Sequence, residues 1–155
     1  MNENFFDFLK LLSNHNVKYV LVGGWAVIFE GYSRTTRDMD ILVEPTEENA
    51  KKILAVLKDF FGSTIGLTKV DFTTEDNVIM MGREPYRIDI LTAISGVSFS
   101  DVFDNSKIYE EDELHIRCIG INELIKNKEA SGRLKDLTDA EYLKKIRAKR
   151  ENKKK

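Results

Sequence analysis

Residues 37–43, Arg37-Asp38-Met39-Asp40-Ile41-Leu42-Val43, set two carboxylates inside an aliphatic run. With the two-residue period of a strand, Asp38, Asp40 and Leu42 share one face, and Met39, Ile41 and Val43 share the other. This constrains the fold on both sides. The aliphatic face requires a core to cover it. The acidic face requires something that neutralises it, because neighbouring carboxylates repel and their ionised forms are costly among apolar side chains. Oxygen ligands with no His or Cys beside them suit Mg²⁺ or Mn²⁺ rather than zinc. Spacing alone fits equally well an edge strand whose Asp pair points into water.

A second acidic strand is expected at Tyr86-Arg87-Ile88-Asp89-Ile90-Leu91, with Asp89 on the face of Arg87 and Leu91. Three carboxylates from two strands are the minimum for the two-metal arrangement that serves phosphoryl transfer. The alternative is that Asp89 only pairs with Arg87 or Arg83. Gly23-Gly24 stands between an expected strand over Val17–Val22 and an expected helix over Trp25–Glu30. A glycine pair there turns tightly and presents free N–H groups to an anion, although its flanks match neither a Walker loop nor GxGxxG.

The rest of the chain interleaves helices and strands. Phe5, Phe8, Leu9 and Leu12 predict an amphipathic helix from about Asn4 to Ser13, and a helix starting at Thr46 carries Ile53, Leu54, Leu57 and Phe60. Gly62 to Gly66 is a break. Strands are expected at Thr68–Thr73, Asn77–Met81, Tyr86–Thr92 and Leu114–Ile119, then helices at Ile121–Ala130 and Asp136–Ile146 on either side of SGRLK. Without a strict βαβ rhythm this predicts an α+β (mixed α/β) fold, one mixed sheet packed by helices.

At 155 residues with 42 % hydrophobic side chains, one domain over 1–146 is expected, followed by a basic tail at 147–155. Residues 144–155 hold eight Lys or Arg against Glu151, a local +7. The whole chain carries −2, which leaves −9 elsewhere. Such a tail suits an electrostatic arm for RNA or, more plainly, a solvated helix end. No apolar run approaches the roughly 20 residues of a membrane helix, and Glu3 and Asp7 stand where a secretory signal is basic, so no membrane partner and a cytoplasmic location are expected. Cys118, His15 and His115 have no zinc-site spacing.

The glycine pair, thirteen intervening residues, Asp38-Met39-Asp40-Ile41 and the later Arg87-Ile88-Asp89-Ile90-Leu91 together resemble the signature of the polymerase β-like nucleotidyltransferase superfamily. Arg34-Thr35-Thr36-Arg37-Asp38-Met39-Asp40 and Lys128-Glu129-Ala130-Ser131-Gly132-Arg133-Leu134-Lys135-Asp136-Leu137 resemble its small bacterial and archaeal branch. That branch includes abortive-infection toxin nucleotidyltransferases and antibiotic-modifying relatives.

The resemblance implies a nucleoside triphosphate, such as ATP, with its phosphates against Gly23 and Gly24. It implies Mg²⁺ (or Mn²⁺) on Asp38 and Asp40, with Asp89 completing the acceptor-side metal and helping to activate the hydroxyl. Arg34, Thr36, Lys128, Arg133 and Lys135 are then nucleotide-side residues. The implied reaction moves NMP from the NTP to a hydroxyl of an acceptor that the sequence does not name, whether tRNA, a protein or a small molecule. The alternative is a non-catalytic nucleotide- or RNA-binding module, or one half of a toxin and antitoxin pair, with the same fold. For Lys128, Arg133 and Lys135, a capped and solvated helix junction with Lys135 paired to Asp136 accounts for the residues equally well.

Overall fold

The chain opens on α1 (Glu3–Asn14), whose first turn is capped by the Asn2 carboxamide oxygen accepting from the Phe5 N–H at 2.9 Å. Its apolar stripe, Phe5, Phe8, Leu9 and Leu12, is buried. Then come β1 (Tyr19–Val22), α2 (Gly23–Phe29), β2 (Met39–Val43), α3 (Glu47–Phe61), α4 (Lys69–Thr73), β3 (Val78–Arg83) and β4 (Tyr86–Leu91). The second half holds α5 (Phe99–Asp104), β5 (Lys107–Glu111), β6 (Leu114–Cys118), α6 (Ile121–Ser131) and α7 (Leu134–Lys153). This computed structural model describes residues 1–83 and 86–154.

The strands form one mixed sheet in the order β3-β4-β2-β1-β6-β5. β2 runs parallel to β4 and β1 parallel to β6, while the other neighbours are antiparallel. The expected α+β architecture is therefore present. Met39, Ile41 and Val43 are fully buried in one cluster with Phe8, Leu9, Leu12, Ile53 and Leu57, so the aliphatic face of β2 is indeed the core face. Among the described residues no helix is long and apolar enough to cross a membrane.

The structure corrects the sequence expectation at several places. Thr68–Thr73, expected as a strand, is the short helix α4. The Asp71 carboxylate reaches back to accept from the Thr68 N–H at 2.8 Å, and this capping box overrides the β-propensity of Thr, Val and Phe. α5 and β5 were not anticipated. Ser98 caps α5 by accepting from the Asp101 N–H, and β5 forms a hairpin with β6 through Asp112 and Glu113, both at positive φ. Helix α7 continues well past Ile146, through most of the basic run, and only its final Lys155 lies outside the described residues.

Candidate active site

The carboxylates meet because of strand register. Val22 of β1 stands opposite Asp40 of β2, Asp40 opposite Asp89 of β4, and Asp89 opposite Met80 of β3, so one row across four strands carries two acids at its centre. Asp38 lies one residue ahead of β2 and completes a group of three. Asp38, Asp40 and Asp89 line a cleft of about 530 Å³ together with Gly24, Arg34, Thr36, Arg87, Lys128, Arg133 and Lys135. An adjoining hollow of about 250 Å³ shares Asp40, Leu91 and Lys128, and adds Gly23 along with Val22, Ala93, Ile94, Ser95 and Asn127. Every residue singled out from the sequence therefore faces these two hollows.

The two glycines have separate physical reasons. Gly23 ends β1 in the left-handed region, φ +70, and a Cβ there would collide with the Asp40 carboxylate. Gly24 is buried with the Arg34–Thr36 loop against it: a Cβ would lie 2.5 Å from Thr36 Oγ1 and 3.1 Å from Arg34 Nη2. The glycine pair and the R-x-T segment are thus two halves of one close contact.

A cationic wall faces the acids. Lys128, 6 % exposed, sits 3.1 Å from Asp136 Oδ1 and 3.2 Å from Asp139 Oδ2. Arg34 Nη2 donates to Asp139 Oδ2 at 3.1 Å. The Asp136 Oδ2 accepts from Ser131 Oγ at 2.6 Å and from Arg133 Nε at 2.8 Å. Burial pushes the Asp136 carboxyl up, but the hydrogen bonds from Ser131, Arg133 and Lys128 outweigh it and hold the group down at about 2. Asp136 pairs with these three groups and not with Lys135, which is exposed at the cleft mouth. Asp139, absent from the sequence-based list, is the shared anion behind Arg34 and Lys128. Its place three residues after Asp136 on a helix was the available signal.

Two of the acids, Asp38 and Asp40, are short of side-chain partners among the described residues. Among the described residues no hydrogen bond reaches Asp38 Oδ1, although it is buried, and the Nε–H of Arg34 is buried without an acceptor. Asp40 has neither a hydrogen bond nor an ion pair among those residues. Burial, then the charges of Asp89 and Asp38, push its carboxyl up to about 6 against the opposing pull of Lys128 and Arg87. An orphaned carboxylate oxygen beside an unneutralised acid is the donor set a hard divalent cation takes, so the residues fit the implied metal. Among the described residues, however, no three such side chains are gathered closely enough to form a ready cage. Arg87 stands between two of them: its Nε donates to Asp89 Oδ1 at 2.7 Å, and its Nη2 to Asp89 Oδ2 and Asp38 Oδ2 at 3.0 Å each.

The family model described as aminoglycoside-2''-adenylyltransferase matches residues 4–117. Among curated proteins none matches the chain. Of solved structures, the lincosamide antibiotic adenylyltransferase LnuA, with lincomycin bound, is 19 % identical at TM-score 0.59, covering 94 % of this chain and 98 % of its own. A putative nucleotidyltransferase from Thermotoga maritima is 16 % identical at TM-score 0.56, with 94 % and 91 % covered. The antibiotic-resistance factor ANT(2'')-Ia is 14 % identical at TM-score 0.53, with 97 % and 90 % covered. At these identities the three structures establish the fold, which is that of nucleotidyltransferases. The chain belongs to the aminoglycoside-2''-adenylyltransferase family, a nucleotidyltransferase family within the polymerase β-like superfamily that the sequence resembles.

Proposed function

We propose that this nucleotidyltransferase moves AMP from ATP to a hydroxyl group of a small molecule. The observation that carries the proposal is the Asp38, Asp40 and Asp89 group, in which the Asp40 side chain and one oxygen of Asp38 lack partners among the described residues, faced by the Arg34 and Lys128 wall. Asp38 and Asp40 would hold a divalent cation, with Asp89 as the third ligand. When bound, that cation supplies the positive charge that offsets the carboxylates and the phosphoryl oxygens.

The chain's own residues do the positioning. The Arg34 Nε–H and the Lys128 ammonium, both anchored from behind by Asp139 through contacts of the same side chains, offer charge-assisted hydrogen bonds to the triphosphate. The missing Cβ atoms of Gly23 and Gly24 make room for the Asp40 carboxylate and for the Arg34–Thr36 loop, and phosphate would approach in the cleft that these side chains line. Exposed Arg133 and Lys135 at the mouth add positive charge where pyrophosphate leaves. Asp89 orients the acceptor hydroxyl. The hydroxyl oxygen, giving up its proton to the Asp89 carboxylate, bonds to the α-phosphorus as the bond from the α-phosphorus to the oxygen shared with the β-phosphate breaks, and pyrophosphate departs with that electron pair.

Three observations favour a small acceptor over RNA. The family and the neighbouring LnuA and ANT(2'')-Ia structures concern antibiotic-modifying enzymes. The second hollow, about 250 Å³, sets apolar and neutral groups (Val22, Ala93, Ile94, Ser95 and Asn127) beside the charged Asp40, Asp76 and Lys128, and its size suits a compact molecule. Part of the basic segment is used internally: Lys144 pairs with Glu129, Arg147 donates to Asn122, and Arg150 holds Glu30.

The test is incubation with each α-labelled NTP, Mg²⁺ and a panel of hydroxylated small molecules that includes aminoglycosides and lincosamides. Label should pass from ATP to at least one of them and not with Asp40→Asn. Label appearing only on RNA or protein from a cell extract would refute the acceptor class, and nucleotide binding without any transfer would refute the activity.

A further inference from the structure

Arg87 already occupies the place where the acids need a cation. It lies two residues before Asp89 on the same face of β4, and its planar guanidinium grips Asp89 with two donors, at 2.7 and 3.0 Å, and reaches Asp38 at 3.0 Å with the second of them. Asp38 and Asp89 are 51 residues apart in sequence and sit on neighbouring segments, so this bridge exists only in the folded sheet. Among the described residues the third acid, Asp40, is bypassed, and one oxygen of Asp38 has no partner. A guanidinium brings one charge and a flat fork of donors. Among the described residues its bonds go to the carboxylates of Asp38 and Asp89 and none goes to Asp40. A divalent cation brings twice the charge in a smaller volume and takes oxygens from several directions.

We propose that Arg87 is a positioning residue that acts as the resident counter-cation of the site, holding Asp38 and Asp89 in place until a divalent cation displaces it from both. Metal loading is then an exchange of cations. It releases the guanidinium toward the cleft that it lines, and it admits Asp40 to the ligand set. The Arg87 side chain is 27 % exposed, so it has water to move into by rotation of its own bonds while the β4 backbone keeps its register. The side chain also resists the exchange, because each charge-assisted contact it makes with the acids must be given up first.

The inference rests on the metal-dependent function proposed above, and the experiment separates the two. Mn²⁺ is titrated into the full chain without nucleotide, with free Mn²⁺ read by electron paramagnetic resonance, for wild type, Arg87→Met and Arg87→Lys. In parallel, the Arg87 Nε–H of ¹⁵N-arginine-labelled wild type, assigned by its absence in Arg87→Lys, is followed by NMR during Mg²⁺ addition. Arg87→Met should bind Mn²⁺ at least about tenfold more tightly than wild type, the equivalent of one lost charge-assisted contact, with Arg87→Lys between them. The Arg87 Nε–H should shift and exchange faster with water as Mg²⁺ saturates.

If Arg87→Met does not fold, Arg87→Lys and the NMR signal carry the comparison. Variants that bind Mn²⁺ no more tightly than wild type, or an Nε–H that ignores saturating Mg²⁺, overturn the inference and leave the proposed activity standing. Failure of every protein to bind Mn²⁺, with ATP or without it, overturns both.

Discussion

Removing the charge of Asp40 should make the metal-free protein more stable, and by an amount that depends on pH. Burial and the charges of Asp89 and Asp38 raise its carboxyl from 3.8 to about 6. The folded state therefore binds this proton more tightly than the unfolded chain. The stabilisation it gives is fully present below pH 3.8 and is lost as pH rises through about 6. At about 1.4 kcal/mol for each tenfold in proton affinity, keeping Asp40 ionised in the fold costs about 3 kcal/mol at pH 8. At pH 5, where most of the folded protein already carries the proton, the same linkage gives about 1.5 kcal/mol.

Asp40→Asn keeps the shape and removes the charge, so in EDTA it should exceed wild type in urea-unfolding free energy by about these two amounts at the two pH values. With Mg²⁺ and ATP the order should reverse, because wild type gains ligand stabilisation that the variant lacks. A gain of equal size at pH 5 and pH 8, or none at pH 8, would refute the assignment of the raised carboxyl to Asp40.

Asp89→Asn should keep Mg²⁺-dependent ATP binding in calorimetry yet lose transfer by at least about a hundredfold, since the acceptor-side carboxylate acts on the hydroxyl rather than on the nucleotide. Gly24→Ala should cost about 1–3 kcal/mol in urea unfolding and raise the KM for ATP, because its Cβ would come within 2.5 Å of Thr36 Oγ1. Equal stability in that variant would detach Gly24 from the loop. Arg150→Ala should lower stability by about 2–3 kcal/mol without changing ATP affinity, because the Glu30 side chain is 1 % exposed and Arg150 Nη1 approaches its Oε2 to 2.6 Å.

How much the sequence revealed depended on the range over which each interaction acts. The acidic strands were legible because alternation is a local pattern: Met39, Ile41 and Val43 went into the core and Asp40 into the cleft. The helix over Lys69–Thr73 was written in Thr68 and Asp71, a capping pair three residues apart, but Val70, Phe72 and Thr73 carried the opposite signal. β5 reads K-I-Y-E-E at the edge of the sheet, with none of its five residues buried, so nothing in its own pattern announces a strand packed on a core. The Arg87 bridge to Asp38 was invisible for a different reason. It depends on β2 and β4 lying side by side in parallel with Asp40 opposite Asp89, a register set by the packing of the intervening α3, α4 and β3.

The cleft's charges fall into two sets with different counter-ions, and that division explains why a short acidic stretch of α7 matters to a site built on β2 and β4. Lys128, Arg34 and Arg133 are tied to Asp136 and Asp139, which are 3 % and 2 % exposed; Asp139 lies behind the wall, while Asp136 lines the cleft with its oxygens held by Lys128, Ser131 and Arg133. A buried cation without such an anion is costly, and one whose anion faced the ligand would have to break that pair before binding phosphate. Because Asp136 and Asp139 approach from α7, the wall keeps its charge and its position whether or not a triphosphate is present. Arg87 is held the other way, by acids that must take part in the chemistry, so it is the cation whose partners have to change. With a divalent ion and a triphosphate both bound the sum would stay nearly balanced: Asp38, Asp40 and Asp89 would hold the ion, and Arg34, Lys128 and the released Arg87 guanidinium would meet the phosphate oxygens. Nucleotide affinity should therefore depend on metal far more steeply than contacts to phosphate alone would require, because without the ion Arg87 stays with the acids and Asp40 repels the incoming charge.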